Sequence, residues 1–378
     1  MCLSKAKGMD IIMKKTAKAA VYTGPGRPFE IREYPLTPPP RGMAMLELIA
    51  SGICGTDLHI HDGKIPMEPP KIIGHEFIGR VAAISEEDAE ASGIRIGDSV
   101  IVDIACPCGE CVLCRTGDDA NCVNMHVTNA GDPEIPPHFY GGYAEYNYSP
   151  IKNLVKLPNG IDPITACVFP CAGPTVLHAF RLAEEAGFMA AQIRTAVVQG
   201  LGPVGMFAVL LLSALGVPEI IAITARQVPQ REKAALAFGA TRVLALEKTP
   251  FSEVNSYIRT LSEGVGADLV LEASGNPRAI PQGMELLRNR GFYLVPGQYS
   301  DSGEIAIKPQ LITFNALRII GSSQYSMHDV AAYIDFMLRH PERHEQIRSL
   351  AAGYRVADIN QAFSDIRAGK NIKTLLVK

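Results

Sequence analysis

The sequence lacks the features that define several broad classes of protein. It has no tryptophan, and its 36 Lys and Arg are outnumbered by 39 Asp and Glu, giving a net charge of −3. A protein that binds a phosphate backbone needs an excess of clustered positive charge, so nucleic acid is not an expected partner. The longest apolar run, residues 206–215, is about half the length of a transmembrane helix, so no membrane association is expected.

The N-terminal segment lacks the apolar core and the small-residue cleavage site of a signal peptide. Met9 and Met13 suggest instead an extension that precedes the folded part of the chain. Five of the nine cysteines lie between Cys106 and Cys122. In a chain without a secretion signal, such close spacing favours thiolate metal ligands over disulfides, and we expect a cytoplasmic location.

The length of 378 residues predicts two domains. Short apolar segments broken by Gly and Pro indicate an irregular β-rich domain at the beginning. After about Cys171, apolar strands alternate with helix patterns, which is typical of a parallel sheet with crossover helices. The final helix and strand are expected to return to the first domain. The predicted division is therefore 1–172, 173–316 and 317–378.

A glycine motif at residues 200–205 predicts a dinucleotide site. It directly follows an apolar strand and opens a long apolar helix. Gly200 would make the tight turn, Gly202 would let backbone N–H groups approach a pyrophosphate, and Gly205 would let the helix pack on the strand. Pro203 and Val204 lie in the first helical turn, where the helix dipole favours phosphate. The surrounding strand–helix units favour this interpretation over a packing turn without a ligand.

The end of the next strand indicates which nicotinamide cofactor would bind. NAD-binding sites of this type carry an acidic residue there, but this chain has Thr224, Ala225 and Arg226. A guanidinium can bind a 2′-phosphate through two parallel hydrogen bonds. We therefore favour NADP(H) over NAD(H), with a surface charge as the alternative role for Arg226. Arg231 could assist, but a solvated helix position is its preferred interpretation.

Four cysteines, Cys108, Cys111, Cys114 and Cys122, have the spacing of a closed structural zinc site with four thiolates. Free thiols and an iron–sulfur cluster are the alternatives, and the second would leave the dinucleotide motif unexplained. A zinc ribbon that binds nucleic acid is opposed by the acidic charge balance. The nearby Cys106 is not needed for the set.

Three further residues, far apart along the chain, predict a second metal site. Cys54 lies in GICGTDLHI, His75 in GHEFIG and Cys171 in CAGPTVLHA, with Cys167 as the alternative to Cys171. A catalytic zinc takes three protein ligands and keeps one position open. Two thiolates and one imidazole would meet that requirement, and zinc there would lower the pKa of an alcohol.

These segments, with GDSVIV, GGYAEY and GKNIKTLLV, resemble zinc-containing members of the medium-chain dehydrogenase/reductase superfamily from about Lys18 to Lys378. The resemblance implies an α/β protein with a GroES-like β-rich catalytic domain and a Rossmann domain whose parallel sheet is doubly wound. It implies hydride transfer between NADP(H) or NAD(H) and a small alcohol or polyol, or the corresponding aldehyde or ketone. It also implies a homodimer or homotetramer with one catalytic and one structural zinc per chain.

Residue by residue, the resemblance implies that Cys54, His75 and Cys171 bind the catalytic zinc. Glu76 would either contact the metal transiently or serve as a buried structural carboxylate. Asp57 would orient His75 from behind.

The resemblance also implies a proton path and a cofactor contact. Thr56 would pass the substrate proton through its hydroxyl, and His59 would relay it to solvent, unless His59 is simply an exposed histidine. Lys373 matches a basic position near the cofactor pyrophosphate. The sequence from Thr224 to Arg226 resembles that of members that prefer NADP.

Two other classes remain as alternatives. A zinc-free reductase of the same superfamily would act on activated double bonds, but Cys54, His75 and Cys171 together oppose it. A non-enzymatic, zinc-stabilised binding protein would fail to bind NADPH. The substrate itself is not readable from the sequence, although the loop from Met125 to Tyr140 is expected to supply walls of its pocket.

Overall fold

The structure, a computed structural model, describes residues 16–378, so the predicted N-terminal extension lies almost entirely outside the described residues. The first part of the chain forms short strands with few helices. These are β1 (Thr16–Val21), β2 (Glu30–Pro35), β3 (Met43–Ile53), α1 (Gly55–His61), β4 (Glu76–Ala83), α2 (Glu86–Ser92), β5 (Ser99–Val102), β6 (Ala105–Cys106), α3 (Val112–Arg115), β7 (His126–Val127), β8 (Tyr146–Pro150), β9 (Leu154–Lys156) and α4 (Pro163–Ala166).

The middle of the chain alternates strands and helices, as predicted from its periodicity. The elements are α5 (Ala172–Glu185), β10 (Thr195–Gln199), α6 (Pro203–Ala214), β11 (Glu219–Thr224), α7 (Pro229–Ala237), β12 (Arg242–Ala245), α8 (Phe251–Leu261), β13 (Ala267–Glu272), α9 (Ala279–Leu286), β14 (Leu287–Val295), α10 (Gln310–Phe314) and β15 (Arg318–Gly321). The chain ends with α11 (Met327–Arg339), α12 (His344–Arg348), β16 (Ala351–Tyr354), α13 (Ile359–Arg367) and β17 (Lys373–Val377).

The alternating segment builds a six-stranded parallel sheet in the order β12-β11-β10-β13-β14-β15. Strand β10 is buried at every residue and β11 at its four central ones, which is expected where helices cover both faces of a parallel sheet. The strand order reverses between β10 and β13. Such a reversal opens a crevice at the carboxyl ends of the strands, where ligands bind in folds of this kind.

The β-rich domain is organised around β3. This strand pairs antiparallel with β4 on one side and with β8 and β17 on the other, within a seven-stranded sheet. Helix α13 also packs there, because its apolar face places Phe363 against Phe29 with ring centroids 4.8 Å apart. The C-terminal helix and strand therefore return to the first domain, as expected from the sequence.

The predicted boundary at residue 316 is too early. Strand β15 continues the parallel sheet by pairing with β14. Helix α11 then packs on α6, where Tyr333 and Phe336 contact the ring of Phe207 at 5.7 and 5.2 Å between centroids. A short apolar strand such as RIIG suits either sheet, and only its pairing decides which one it joins. Within residues 16–378, no helix has the length and apolar character that a membrane span requires.

Candidate active site

The turn between β3 and α1 positions several of the predicted site residues. Cys54 stands at the N-cap of α1, and its backbone N–H donates to Oδ2 of the fully buried Asp57 at 2.9 Å. The other oxygen of Asp57, Oδ1, lies 3.4 Å from Nδ1 of His75 and has no hydrogen-bond partner. Asp57 thus holds the helix start with one oxygen and faces His75 with the other, leaving Nε2 of His75 as the nitrogen available to a metal.

Three distant segments converge at this point. Ligand atoms of Cys54, His75, Glu76 and Cys171 all lie within 4.8 Å of one another. His75 precedes β4, and Cys171 immediately precedes α5. Thiolate sulfur and imidazole nitrogen are the donors that zinc prefers, so the residues present fit this metal.

The protonation of this cluster also suits a cation. The hydrogen bond between the two thiols lowers the pKa of Cys54 well below its ordinary value and raises that of Cys171 well above it. Burial is the largest single influence on His75 and lowers its pKa. The charge of Asp57 and the hydrogen bonds of His75 with Asp57, Cys171 and Cys54 together outweigh burial, so the pKa of the imidazole is raised. A thiolate and a buried carboxylate are therefore gathered around one point, where a divalent cation would be electrostatically stabilised.

Lys373 lies in a different place from the one predicted. Its ammonium is 1% exposed and forms an ion pair with the equally buried Glu76. Gly52 of β3 makes room for this pair, because a Cβ there would stand 1.8 Å from Oε2 of Glu76. Burial raises the pKa of Glu76 to about 7, with the charge of Lys373 opposing the shift. The predicted contact of Lys373 with a cofactor pyrophosphate is thus not seen, because β17 places Lys373 beside Glu76 of the cluster with Cys54, His75 and Cys171.

The two residues predicted to move a proton lie on consecutive turns of α1. The thiol of Cys54 lies 3.8 Å from the hydroxyl oxygen of Thr56. His59 follows three residues later, on the same side of the helix. Its Nδ1 lies 2.7 Å from the hydroxyl oxygen of Ser300, which belongs to the loop after β14. Burial lowers the pKa of His59, so its imidazole is neutral over more of the pH range.

The glycine motif lies at the crevice predicted by the strand order. Gly200 leaves β10 with φ of +97°, and Gly202 is the N-cap of α6. A Cβ on Gly205 would stand 1.9 Å from the carbonyl oxygen of Gly200, so this close packing requires glycine. Gly200 and Gly202 line a cavity of about 600 Å³, whereas Pro203, Val204 and Gly205 form the first turn of the helix behind it.

The far end of this cavity is positively charged. Arg226, Arg231, Arg242 and Lys248 line it together with the carboxylate of Glu232. The exposed guanidinium of Arg226 forms no ion pair with any residue between 16 and 378. Arg231 is half-buried and its Nε has no hydrogen-bond partner, so the preferred interpretation of Arg231 as a solvated helix residue is wrong. Its burial lowers the pKa of the guanidinium.

The hydroxyl of Thr224 at the end of β11 donates to the carbonyl oxygen of Arg226 at 2.8 Å. This hydrogen bond closes a tight turn, which leaves both residues on the wall of the cavity. The carboxylate expected of an NAD site at the strand end is absent from Thr224, Ala225 and Arg226.

The four cysteines of the predicted structural site form a second cluster. The sulfur atoms of Cys108, Cys111, Cys114 and Cys122 all lie within 4.8 Å of one another. Backbone N–H groups donate to these sulfurs, for example from Cys111 to Cys108 at 3.4 Å and from Cys114 to Cys111 at 3.5 Å. Such bonds favour thiolates, and the N–H of Cys114 lowers the pKa of Cys111 to about 6.

The remaining cysteines near these sites lie outside both clusters. Cys106 contacts Oδ1 of Asn153 at 3.4 Å, and Cys167 donates to the carbonyl oxygen of Glu76 at 3.4 Å. Burial raises the pKa of both thiols. The structure thus groups Cys171, and not the alternative Cys167, with Cys54 and His75.

Comparisons with known proteins agree with this geometry. The family model of the alcohol dehydrogenase GroES-like domain matches residues 40–159, and that of the zinc-binding dehydrogenase matches residues 203–339. An L-threonine 3-dehydrogenase of Caldanaerobacter subterraneus is 32% identical over 85% of this chain and 86% of its own length. A 5-exo-hydroxycamphor dehydrogenase of Pseudomonas putida is 29% identical over 95% of this chain and 98% of its own.

This chain belongs to the zinc-type medium-chain dehydrogenase superfamily. A solved alcohol dehydrogenase from Thermotoga maritima superimposes with a TM-score of 0.86 at 26% identity, covering 96% of this chain and 99% of the other. Membership makes the protein an alcohol dehydrogenase that uses zinc, a nicotinamide cofactor and a small alcohol or carbonyl substrate.

Two tyrosines that no motif in the sequence singles out lie near the cluster of Cys54, His75 and Cys171. Tyr299 is 47% exposed as a residue, and partial burial raises the pKa of its phenol. The charge of His75 lowers this pKa, and the charges of Cys171 and Cys54 raise it. Tyr325 is buried, and burial and Cys171 raise the pKa of its phenol. Both are single tyrosines in loops, so no spacing or motif in the sequence marks them.

The loop predicted to wall the substrate pocket lies next to His75, one of the predicted zinc ligands. Within it, the buried Asn129 donates from Nδ2 to the carbonyl oxygen of Gly74 at 3.3 Å. Gly74 directly precedes His75, so this part of the 125–140 loop is anchored beside the cluster of Cys54, His75 and Cys171. Its role as a substrate wall stays a prediction.

Proposed function

We propose that this protein is a zinc-dependent dehydrogenase that transfers a hydride between NADP(H) and a small alcohol or polyol, or the corresponding carbonyl compound. The observation that carries this proposal is the convergence of Cys54, His75 and Cys171. These residues would hold a catalytic zinc, which would supply the Lewis acidity that lowers the pKa of a substrate hydroxyl.

The residues next to the proposed zinc ligands orient one of them and balance the local charge. Asp57 keeps His75 in one orientation, since its buried Oδ1 faces Nδ1 of the imidazole. Glu76 is engaged by Lys373. We therefore assign three protein ligands to the catalytic zinc and treat Glu76 as a buried neighbour that balances charge. The second cluster, from Cys108 to Cys122, would hold the structural zinc.

The chain's own residues provide a route for the substrate proton. Thr56 Oγ1 would accept the proton from the substrate hydroxyl while giving up its own proton, and His59 would carry that proton to water. The lowered pKa of His59 supports this role, because a neutral imidazole can accept a proton. Tyr299, half exposed beside the ligands, would form a wall of the substrate pocket from the opposite domain.

The cofactor would bind along the cavity at the glycine motif. Its pyrophosphate would meet Gly200, Gly202 and the N-terminus of α6, where unpaired backbone N–H groups favour negative charge. Arg226 and Arg231 at the far end would bind a 2′-phosphate, which supports NADP(H) over NAD(H). The unpaired, buried Nε of Arg231 would gain an acceptor in this way.

Arg226→Ala should weaken NADP(H) binding about 10- to 100-fold and NAD(H) binding little, because charge-assisted hydrogen bonds contribute roughly 1.5–3 kcal/mol. Arg231→Ala should have the same selective effect, weakening NADP(H) binding more than NAD(H) binding. The measurement is a fluorescence titration of each variant with NADPH and with NADH. Arg290→Ala, an exposed arginine outside the cavity, is the matched control and should bind both as the wild type does. Equal losses for both cofactors would exclude a 2′-phosphate site.

The function itself is tested by a substrate screen on zinc-replete protein with NADP(H) and NAD(H). Relatives are named for hydroxycamphor, L-threonine and sorbitol, compounds that all contain a secondary hydroxyl group. The screen should therefore begin with secondary alcohols and ketones.

Reduction of activated double bonds without zinc would support the zinc-free reductase, and failure to bind either cofactor would support a non-enzymatic protein. Assembly as a homodimer or homotetramer and a cytoplasmic location stay predictions.

A further inference from the structure

The loop after β14 reaches from the parallel-sheet domain to the β-rich domain. Its Ser300 places Oγ 2.7 Å from Nδ1 of His59 on α1. This hydrogen bond joins two residues that are 241 positions apart in the chain. Tyr299, directly before Ser300, lies close enough to His75, Cys171 and Cys54 for their charges to influence the pKa of its phenol.

No other side chain of residues 16–378 forms a hydrogen bond with the imidazole of His59. Burial and the charge of Lys64 lower the pKa of His59, whereas the charges of Asp62 and Cys54 act in the opposite direction. Ser300 is uncharged, so it acts on His59 by fixing the orientation of the imidazole ring and by shielding the ring from water. A half-buried imidazole with a single partner loses its preferred orientation when that partner is removed.

We propose that Ser300 is a positioning residue that completes the proton path of this dehydrogenase across the cleft between the two domains. Its hydroxyl holds the imidazole of His59 through Nδ1. The other ring nitrogen, Nε2, then receives the proton from the side of Thr56 and releases it to water. Because the two residues belong to different domains, the path from Thr56 is complete only when the domains are closed. Proton transfer is thereby linked to the closed state that excludes bulk water. The inference rests on the proposed relay through Thr56 and His59.

Ser300→Ala should lower kcat for alcohol oxidation about 3- to 10-fold, the range expected for one hydrogen bond of roughly 0.5–1.5 kcal/mol. The KM of the alcohol should change less than kcat, because Ser300 acts through His59 and not on the substrate. His59 must be neutral to accept a proton. Opening its surroundings to water would raise its pKa, so the rising acid limb of the kcat profile should move to higher pH.

Two variants on the same loop separate positioning from a general effect on structure. Ser300→Thr keeps the hydroxyl and should retain most of the activity and the wild-type pH profile. Ser302→Ala alters an exposed serine for which the structure shows no hydrogen bond, and it should behave as the wild type. An unchanged pH profile in Ser300→Ala, or an equal loss in Ser302→Ala, would overturn the proposal.

Combination with His59→Gln tests whether Ser300 acts through the imidazole. In that background Ser300→Ala should cause no further loss of kcat, since the group that it positions is already gone. A multiplicative loss in the double variant would show that the two residues act independently and would contradict the proposal.

A titration followed by NMR makes the test independent of turnover. In protein labelled with 13C at histidine Cε1, the signal missing from His59→Gln identifies His59. In Ser300→Ala this signal should titrate at a higher pH than in the wild type. An inactive wild-type protein would refute the proposed function, yet this titration would still decide whether Ser300 positions His59. Identical titrations in both proteins would reject that role.

Discussion

Cys54→Ser is expected to lower the rate of hydride transfer about 10³-fold or more while leaving the rest of the fold intact. The substitution removes one of the two sulfur ligands proposed for the catalytic zinc, and Lewis-acid stabilisation by such a metal amounts to several kcal/mol. Zinc content per chain, measured by elemental mass spectrometry, should fall from two ions to one. Thermal unfolding should change little, because the structural cluster is untouched.

Cys106→Ser provides the matched control for this prediction. Cys106 is half-buried like Cys54, but its sulfur contacts Asn153 and lies outside both clusters. This variant should retain both zinc ions and wild-type kcat. A Cys54→Ser protein that keeps two zinc ions and turns over normally would refute the assignment of the catalytic metal.

Cys111→Ala should unfold the lobe between residues 106 and 123 locally. The lobe contains helix α3 of only four residues, and Val112 and Val123 are 65% and 67% exposed, so little apolar burial holds it together. A structural zinc supplies the missing folding free energy in such segments. Loss of the zinc should make the lobe sensitive to protease, and limited proteolysis with mass spectrometry of the fragments would locate the cuts.

Glu110→Ala serves as the control for the lobe, since Glu110 is exposed and lies next to Cys111 without belonging to the cluster. It should keep wild-type protease resistance and both zinc ions. Cys111→Ala should lose one zinc ion and retain more activity than Cys54→Ser, because the two clusters are separate. If Cys111→Ala stayed as resistant to protease as the wild type, zinc would not be what holds this lobe.

Together, the two variants distinguish the metals by their consequences. Loss of the catalytic ion should stop turnover with little effect on stability. Loss of the structural ion should destabilise the lobe between residues 106 and 123 and leave more of the turnover intact. Measuring zinc content, kcat and protease sensitivity on the same preparations would therefore assign a role to each cluster separately.

Much of the candidate site could be predicted because its residues have short, chemically specific patterns. The four cysteines of the lobe and the glycine motif are local in the chain, so their spacing alone indicates zinc and phosphate chemistry. Cys54, His75 and Cys171 are not local, but each lies in a recognisable segment. The structure brings all three together.

The incorrect predictions concern residues whose partners lie far away in the sequence. Lys373 carries a charge that could serve a phosphate or a carboxylate, and only the pairing of β17 with β3 brings it to Glu76. Arg231 has the sequence context of a solvated helix residue, but the helix turns it into the cavity beside the glycine motif. The sequence predicts a domain boundary at residue 316, but the short strand β15 pairs with β14 and extends the parallel sheet beyond it.

The amino-acid sequence by itself determined which metals and which cofactor chemistry this protein can support. Thiolates and imidazole are zinc donors in any fold, and a glycine-rich turn before a helix favours phosphate through its backbone N–H groups. The tertiary structure alone decided which charges neutralise one another and which loop faces the ligands. Ser300 meets His59, and Glu76 meets Lys373, only after strands and domains have packed. Such contacts depend on distances between segments hundreds of residues apart, and no local pattern encodes those distances.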